Sequence, residues 1–259
     1  MSDAKPYPIQ LRFRTLYSLL RVVVFLAGCL PRRFCLLIGR GVGHLAFALM
    51  KSRAQVALEN LTLVYGEGLT AAQKRKLASG NFAHLGAVFF ESFHYLAHTR
   101  RLSRYLTVRG EEHLKRALAQ GKGAVLFSAH LGNFLLMTVA VGWLANSKFI
   151  FRDPGDKDVS EIYRWIRERG HSPVIADNPR HRCAYYANAH LRAGGVLGVL
   201  IDQVENGGVY VDFMGHKAGS TVGAAKLALI SGAPLLPMHC VRKPDSTLEA
   251  IFGPEYVIP

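Results

Sequence analysis

A chain of 259 residues, half of them hydrophobic and only 19% charged, can bury a core of ordinary domain size and leaves little room for extended disorder. Its net charge of +14 calls for an anionic partner. Base-stacking aromatics do not interleave with its Lys and Arg residues, so nucleic acid is not the expected one. The cysteines at 29, 35, 183 and 240 form no CxxC pair and no Cys/His cluster, and read as reduced core or interface thiols.

The charge is unevenly placed. Residues 1–53 hold nine Lys or Arg and one acid, Asp3, within a segment rich in long apolar side chains. That combination suits an anionic membrane surface. The apolar run from Val22 to Leu30 lies between Arg21 and Pro31-Arg32-Arg33, and is shorter than the roughly 20 residues a spanning helix needs. A second run, Phe34 to Met50, is interrupted by Arg40 and His44. The expectation is a pair of helices lying in the membrane interface. A shallow or single span is one alternative, and a buried helical hairpin is the other.

Residues 54–107 read as mainly helical. Thr70 is placed to cap a helix running to Ala97, along which Phe82, Leu85, Val88, Phe89, Phe93 and Leu96 recur at helical spacing. Glu91 interrupts that apolar stretch and calls for either exposure or a basic partner. From about residue 108, short strands alternate with helices. Helices are expected at Glu111–Gln120, Phe134–Leu144, Val159–Arg169, Arg180–Arg192 and Ser220–Ile230. Strands are expected at Ala124–Phe127, Lys148–Phe151, Val196–Ile201, Val209–Phe213, Leu235–Val241 and Leu248–Phe252. Such alternation predicts an α/β layered fold behind an N-terminal helical region. The organisation expected is therefore residues 1–53 as membrane-associating helices and residues 54–259 as the main domain.

Chemistry concentrates where strands end. His130, in Ser128-Ala129-His130-Leu131-Gly132-Asn133-Phe134, follows a strand buried on both faces. The carboxyl ends of strands are where α/β sheets place their sites. Imidazole is the side chain best suited to take a proton from an alcohol near neutral pH. Gly132 would let the backbone approach a ligand, and amides at the following helix start could receive an oxyanion. Ser128 lacks the G-x-S-x-G setting of a hydrolase nucleophile. Asp202 and Gln203 end another buried strand, where Asp202 either caps the next turn or positions His130. The glycines at 207 and 208 predict a turn. Arg152 should emerge at the same edge, either to hold a phosphate bidentately or as an ordinary solvated arginine.

The ordered set Asn81-Phe82 to Gly86, Glu91, Val108–Leu114, Gly123–Phe134, Phe151-Arg152 and Ile201-Asp202-Gln203 through Val209–Gly215 resembles the lipid A biosynthesis acyltransferases. These are the lauroyl/myristoyl acyltransferases of the wider lysophospholipid acyltransferase superfamily, and the resemblance covers nearly the whole chain. It implies a mixed central sheet flanked by helices. It also implies transfer of a fatty acyl group from acyl carrier protein or coenzyme A to a hydroxyl of a membrane glycolipid, at the cytoplasmic face of a bacterial inner membrane. His130 would be the general base, while Gly132, Asn133, Arg152 and Gln203 would bind substrate. A thioester donor needs no metal or redox cofactor. The family places an acid five residues after the histidine, where this chain has Leu135. A branch acylating phosphatidylinositol mannosides uses a Glu at the position of Tyr210. Asp202 is the first substitute to consider, Glu91 the second, and Asn133 or a backbone partner the third. The rivals are acyl transfer to another phospholipid or glycolipid, and a lipid-binding homologue weakened in catalysis. Relatives continue beyond the stretch Phe252–Pro259, so the domain is expected to lack its C-terminal end.

Overall fold

The computed structural model describes residues 11–152, 156–177, 179–203 and 208–257. Of the glycine turn expected at 207 and 208, Gly207 lies outside the described residues, as do residues 1–10 of the basic segment. Contacts divide the chain into two compact units that interleave along the sequence. One comprises Met1–Val23, Thr99–Gln203 and Thr221–Pro259; the other comprises Val24–His98 and Val204–Ser220.

Helix α1 (Leu11–Cys29) is followed by α2 (Arg32–Leu49), α3 (Lys51–Tyr65) and α4 (Ala71–Ala97). Pro31, whose backbone lacks an N–H, precedes α2 at its N-cap. Thr70 caps α4 as expected. Its hydroxyl accepts from the Gln73 amide at 3.3 Å, while the Gln73 side chain accepts from the Thr70 amide at 2.8 Å. Helices α2 and α4 pack at glycine. A Cβ on Gly39 or on Gly86 would collide with the other's backbone, so only glycine permits so close an approach. Glu91, fully buried on α4, pairs with Arg32 on α2, whose Nε donates to Oε1 at 2.7 Å. His94 and His98 lie 2.9 and 2.8 Å from the carbonyls of Ala27 and Gly28, where α1 ends. Among the described residues no single helix is long and apolar enough to cross a membrane. By length and composition alone, α2 with the segment Lys51–Gly68 forms a pair bent by 91° that passes the same test.

The other unit is a mixed sheet flanked by helices. In chain order it contains β1 (Leu106–Arg109), α5 (Glu111–Leu118), β2 (Ala124–Ser128), α6 (Phe134–Leu144), β3 (Ser147–Phe151), α7 (Lys157–Arg169), β4 (Val174–Ala176), α8 (Arg180–Arg192) and β5 (Val196–Leu200). An exposed two-stranded hairpin, β6 (Val209–Phe213) and β7 (His216–Ser220), belongs to the helical unit. Then come α9 (Gly223–Ser231), β8 (Leu235–Arg242) and β9 (Leu248–Phe252). The sheet order is β1-β9-β8-β2-β5-β3-β4, with β8 and β9 antiparallel and every other neighbouring pair parallel. One face packs Val125, Leu197 and Leu235 against Cys183, Ala187 and Leu191 of α8 and against Ala224 and Ala228 of α9. Burying these apolar surfaces is the main force holding the layers together.

The alternation read from the sequence is present, with three strands added. The helix expected from Ser220 starts at Gly223 instead, because Ser220 closes β7 opposite Val209. Strands β1 and β4 have four and three residues, too few to show a period of two.

Candidate active site

Strand connections define where the site sits. From β2 the chain runs through α6 to β3, on the far side of β5, whereas from β5 it goes on to β8, on the far side of β2. Adjacent strands whose connections leave in opposite directions open a crevice at their carboxyl ends. His130 follows β2 and Asp202 follows β5 at that crevice.

Register brings the two together. Ser128 lies opposite Leu200, and the Ile201 amide donates to the Ser128 carbonyl at 2.9 Å, so the ladder continues past the strand ends. Two residues further along each strand are His130 and Asp202. The Asp202 carboxylate meets His130 twice: Oδ1 lies 2.8 Å from ring Nδ1, and Oδ2 accepts from the backbone amide, also at 2.8 Å. One carboxylate thus fixes both the ring and the loop that carries it. The pair is open to solvent, with about a third of each side chain exposed (34% and 37%). On its other side the imidazole meets the Phe134 ring edge to face, with centroids 4.8 Å apart.

The loop is shaped by backbone contacts. Gly132 has φ +59° and bridges to Cys240 of β8, where a Cβ would collide with the Cys240 carbonyl. On this side its close approach is to the backbone of β8. The same carbonyl accepts from the Asn133 amide at 3.1 Å. Asn133 is fully buried, and its Oδ1 accepts from the Leu136 amide at 3.0 Å, capping α6. The Oδ1 of Asn133 is thus committed to the helix cap that fixes the end of the His130 loop. The Ser128 hydroxyl meets Met137 Sδ and the Ala129 carbonyl, each at 3.4 Å, which gives the hydrolase reading no support.

Arg152 emerges at the same edge after β3. Its Nε lies 3.4 Å from Asp177 Oδ2, just after β4, again by continuation of strand register from Phe151 opposite Ala176. Sheet spacing sets β3 about 10 Å from β2, so Arg152 and His130 share an edge without touching. Gln203 is exposed beside Asp202. Leu135, at the position of the family's usual acid, is half-buried in the first turn of α6. Glu91, the second substitute acid considered, is held by Arg32 in the helical unit. Sequence reasoning did not anticipate Phe134 against the imidazole, the Cys240 carbonyl behind the loop, or Asp177 beside Arg152.

Residues 9–258 match the family described as bacterial lipid A biosynthesis acyltransferase. Among curated relatives, the lipid A biosynthesis lauroyltransferase of Escherichia coli is 26% identical over 86% of this chain and 72% of its own length. The palmitoleoyltransferase of the same organism is 24% identical over the same shares. A phosphatidylinositol mannoside acyltransferase of Mycobacterium tuberculosis is 35% identical over 54% of this chain and 46% of its own length. With nearly its whole length matched, the chain belongs to the bacterial lipid A biosynthesis acyltransferases and is an acyltransferase.

Proposed function

We propose that the chain moves a fatty acyl group from an acyl-carrier-protein or coenzyme A thioester to a hydroxyl of a lipid A precursor or related membrane glycolipid, with His130 as general base and Asp202 as its orienting acid. The observation that carries this reading is the pair of 2.8 Å contacts from one carboxylate to His130 at the sheet's crevice. An Asp202 carboxylate on Nδ1 favours the tautomer with its proton there, leaving Nε2 as the proton acceptor. Nε2 takes the acceptor's hydroxyl proton as that oxygen attacks the thioester carbonyl. The oxyanion of the tetrahedral intermediate is within the province of the first-turn amides of α6, Phe134 and Leu135, which a helix's own ladder does not use. Collapse breaks the carbon–sulfur bond. The thiolate recovers the proton from the imidazolium, giving ester and free thiol, while Asp202 stabilises the imidazolium in between. Arg152 would exchange its long contact with Asp177 for a phosphate of donor or acceptor, and Gln203 would meet substrate beside Asp202.

The usual acid of the helix turn is replaced, in this reading, by one on the neighbouring strand. A second acceptor class, an inositol mannoside, is favoured by the higher identity to the mycobacterial acyltransferase over about half of the chain.

Membrane contact by residues 1–53, at the cytoplasmic face of the inner membrane, is part of the same proposal. Helix α2 buries Cys35, Leu36, Gly39, Gly43 and Phe47, and on its opposite face exposes Phe34, Leu37, Ile38, Val42, Leu45 and Leu49. Arg33 and Arg40, seven residues apart, are also exposed. An apolar stripe flanked by arginines suits a helix lying in an anionic interface.

The test uses full-length protein, radiolabelled acyl-carrier thioester and bacterial membrane lipid. Wild type should form acylated lipid, and His130→Ala should lower the rate by roughly a thousandfold. Product formation at the wild-type rate by the variant would sink the base assignment.

A further inference from the structure

The hairpin of β6 and β7 joins Phe213 to His216 through a two-residue turn, Met214-Gly215, with φ of +50° and +80°. That turn favours Asn or Asp followed by Gly, because a side chain with φ above zero is strained unless it is small and polar. Methionine there is an outlier. Packing does not compensate it: Met214 is 57% exposed, its neighbour Phe213 is 61% exposed, and a Cβ on Gly215 would meet nothing. All five residues of β6 are exposed, although an isolated two-stranded hairpin is marginal in water. The hairpin is tethered to α3, with His216 Nε2 lying 3.0 Å from the Leu63 carbonyl.

The order of side chains away from the tip is informative. Met214 comes first, then Phe213 opposite His216, then the Asp212–Lys217 ion pair with 2.9 Å between its atoms, then Val211, and then Tyr210 at 77% exposure. Apolar groups leading, with charges and an amphipathic aromatic behind, is the order met on entering a bilayer interface. The same unit carries exposed Arg33, Arg40, Lys51 and Arg53, and residues 32–53 contain no acid, so its charge complements anionic lipid. We propose that the β6–β7 hairpin is a second lipid contact, placing Met214 and Phe213 among the headgroups and upper acyl chains of an anionic bilayer. This deepens the membrane reading given above and rests on it. Strain of this kind, held at an exposed tip, is a mark of function rather than of folding.

The full-length chain should be tested as Phe213→Trp and Met214→Asn on phosphatidylglycerol-containing vesicles, some carrying brominated acyl chains. Bromine should quench the new indole well beyond the background from Trp143 and Trp165. Met214→Asn, which suits the left-handed turn, should leave the melting temperature unchanged or raised while weakening vesicle partitioning about tenfold. Vesicle binding without extra quenching, or with Met214→Asn bound as tightly as wild type, would overturn the hairpin contact and leave the α2 contact standing. Failure of wild type to bind vesicles would overturn both. An indole that responds to acyl carrier protein but not to vesicles would replace the lipid with a protein partner, and so also reject the proposal.

Discussion

Two carboxylates, each bound to a basic partner, sit in the two units of this chain and do different work. Glu91 is fully buried between α2 and α4 against Arg32. Asp202 lies a third exposed at a sheet edge, gripping both the ring and the amide of His130. A buried pair is committed to structure, since either charge left alone in an apolar interior is severely penalised. An open pair at a crevice adds little to stability, but leaves one ring nitrogen for a substrate. Exposure, rather than the mere presence of a charge pair, separates the candidate catalytic acid from the structural one.

The largest effect expected from that contrast is on Glu91. Its replacement by Ala should cost about 3 kcal/mol in denaturant unfolding, because Arg32, with only 15% of its side chain exposed, loses this carboxylate and a cavity opens between α2 and α4. The rate per folded molecule should hardly change. Replacing both partners by hydrophobic residues, Arg32→Met with Glu91→Leu, should recover most of the loss. If Glu91→Ala unfolds like wild type, the buried-pair assignment is wrong.

A smaller loss is expected at Asn133, whose cap on α6 is worth about 1 kcal/mol. Asn133→Ala should lower stability by that amount and the acyl-transfer rate by more than the stability change explains, because the cap also sets the His130 loop. Asn133→Asp, which keeps the acceptor oxygen, should restore both.

Smallest is a pH effect. His190 is buried, and desolvation lowers its pKa below the ordinary 6.5, although its ring reaches the Val196 carbonyl at 3.1 Å. The folded chain therefore takes up a proton there less readily than the unfolded chain. Its stabilising contribution is complete above the ordinary value and declines as the pH falls through and below it. Unfolding midpoints measured from pH 8 to pH 5 should drop, and the slope should be shallower in His190→Gln. An unchanged slope in the variant would remove His190 from that account.

Much of this was legible in the sequence. Helix Phe134–Leu144 and strand Val209–Phe213 have the bounds their patterns predict, since a long apolar run and a clean alternation each specify one period. Asp202 could be named as the first substitute acid because it ends a buried strand. What escaped notice depends on pairing between distant segments. The need for glycine at 132 comes from the Cys240 carbonyl on β8, and Arg152 meets Asp177 only through the pairing of β3 with β4. Strand β7, His216-Lys217-Ala218-Gly219-Ser220, carries no apolar alternation and pairs only with β6, so its pattern alone does not mark it as a strand.

The link between His130 and Asp202 is tested most directly by a double-mutant cycle on the acyl-transfer rate. Asp202→Asn alone should slow wild type roughly a hundredfold or more, with no more than about 1 kcal/mol lost in stability. In a His130→Ala background the same substitution should do almost nothing further, because an orienting acid has no ring left to orient. A full additional hundredfold loss in that background would contradict the dyad and show that Asp202 acts on its own.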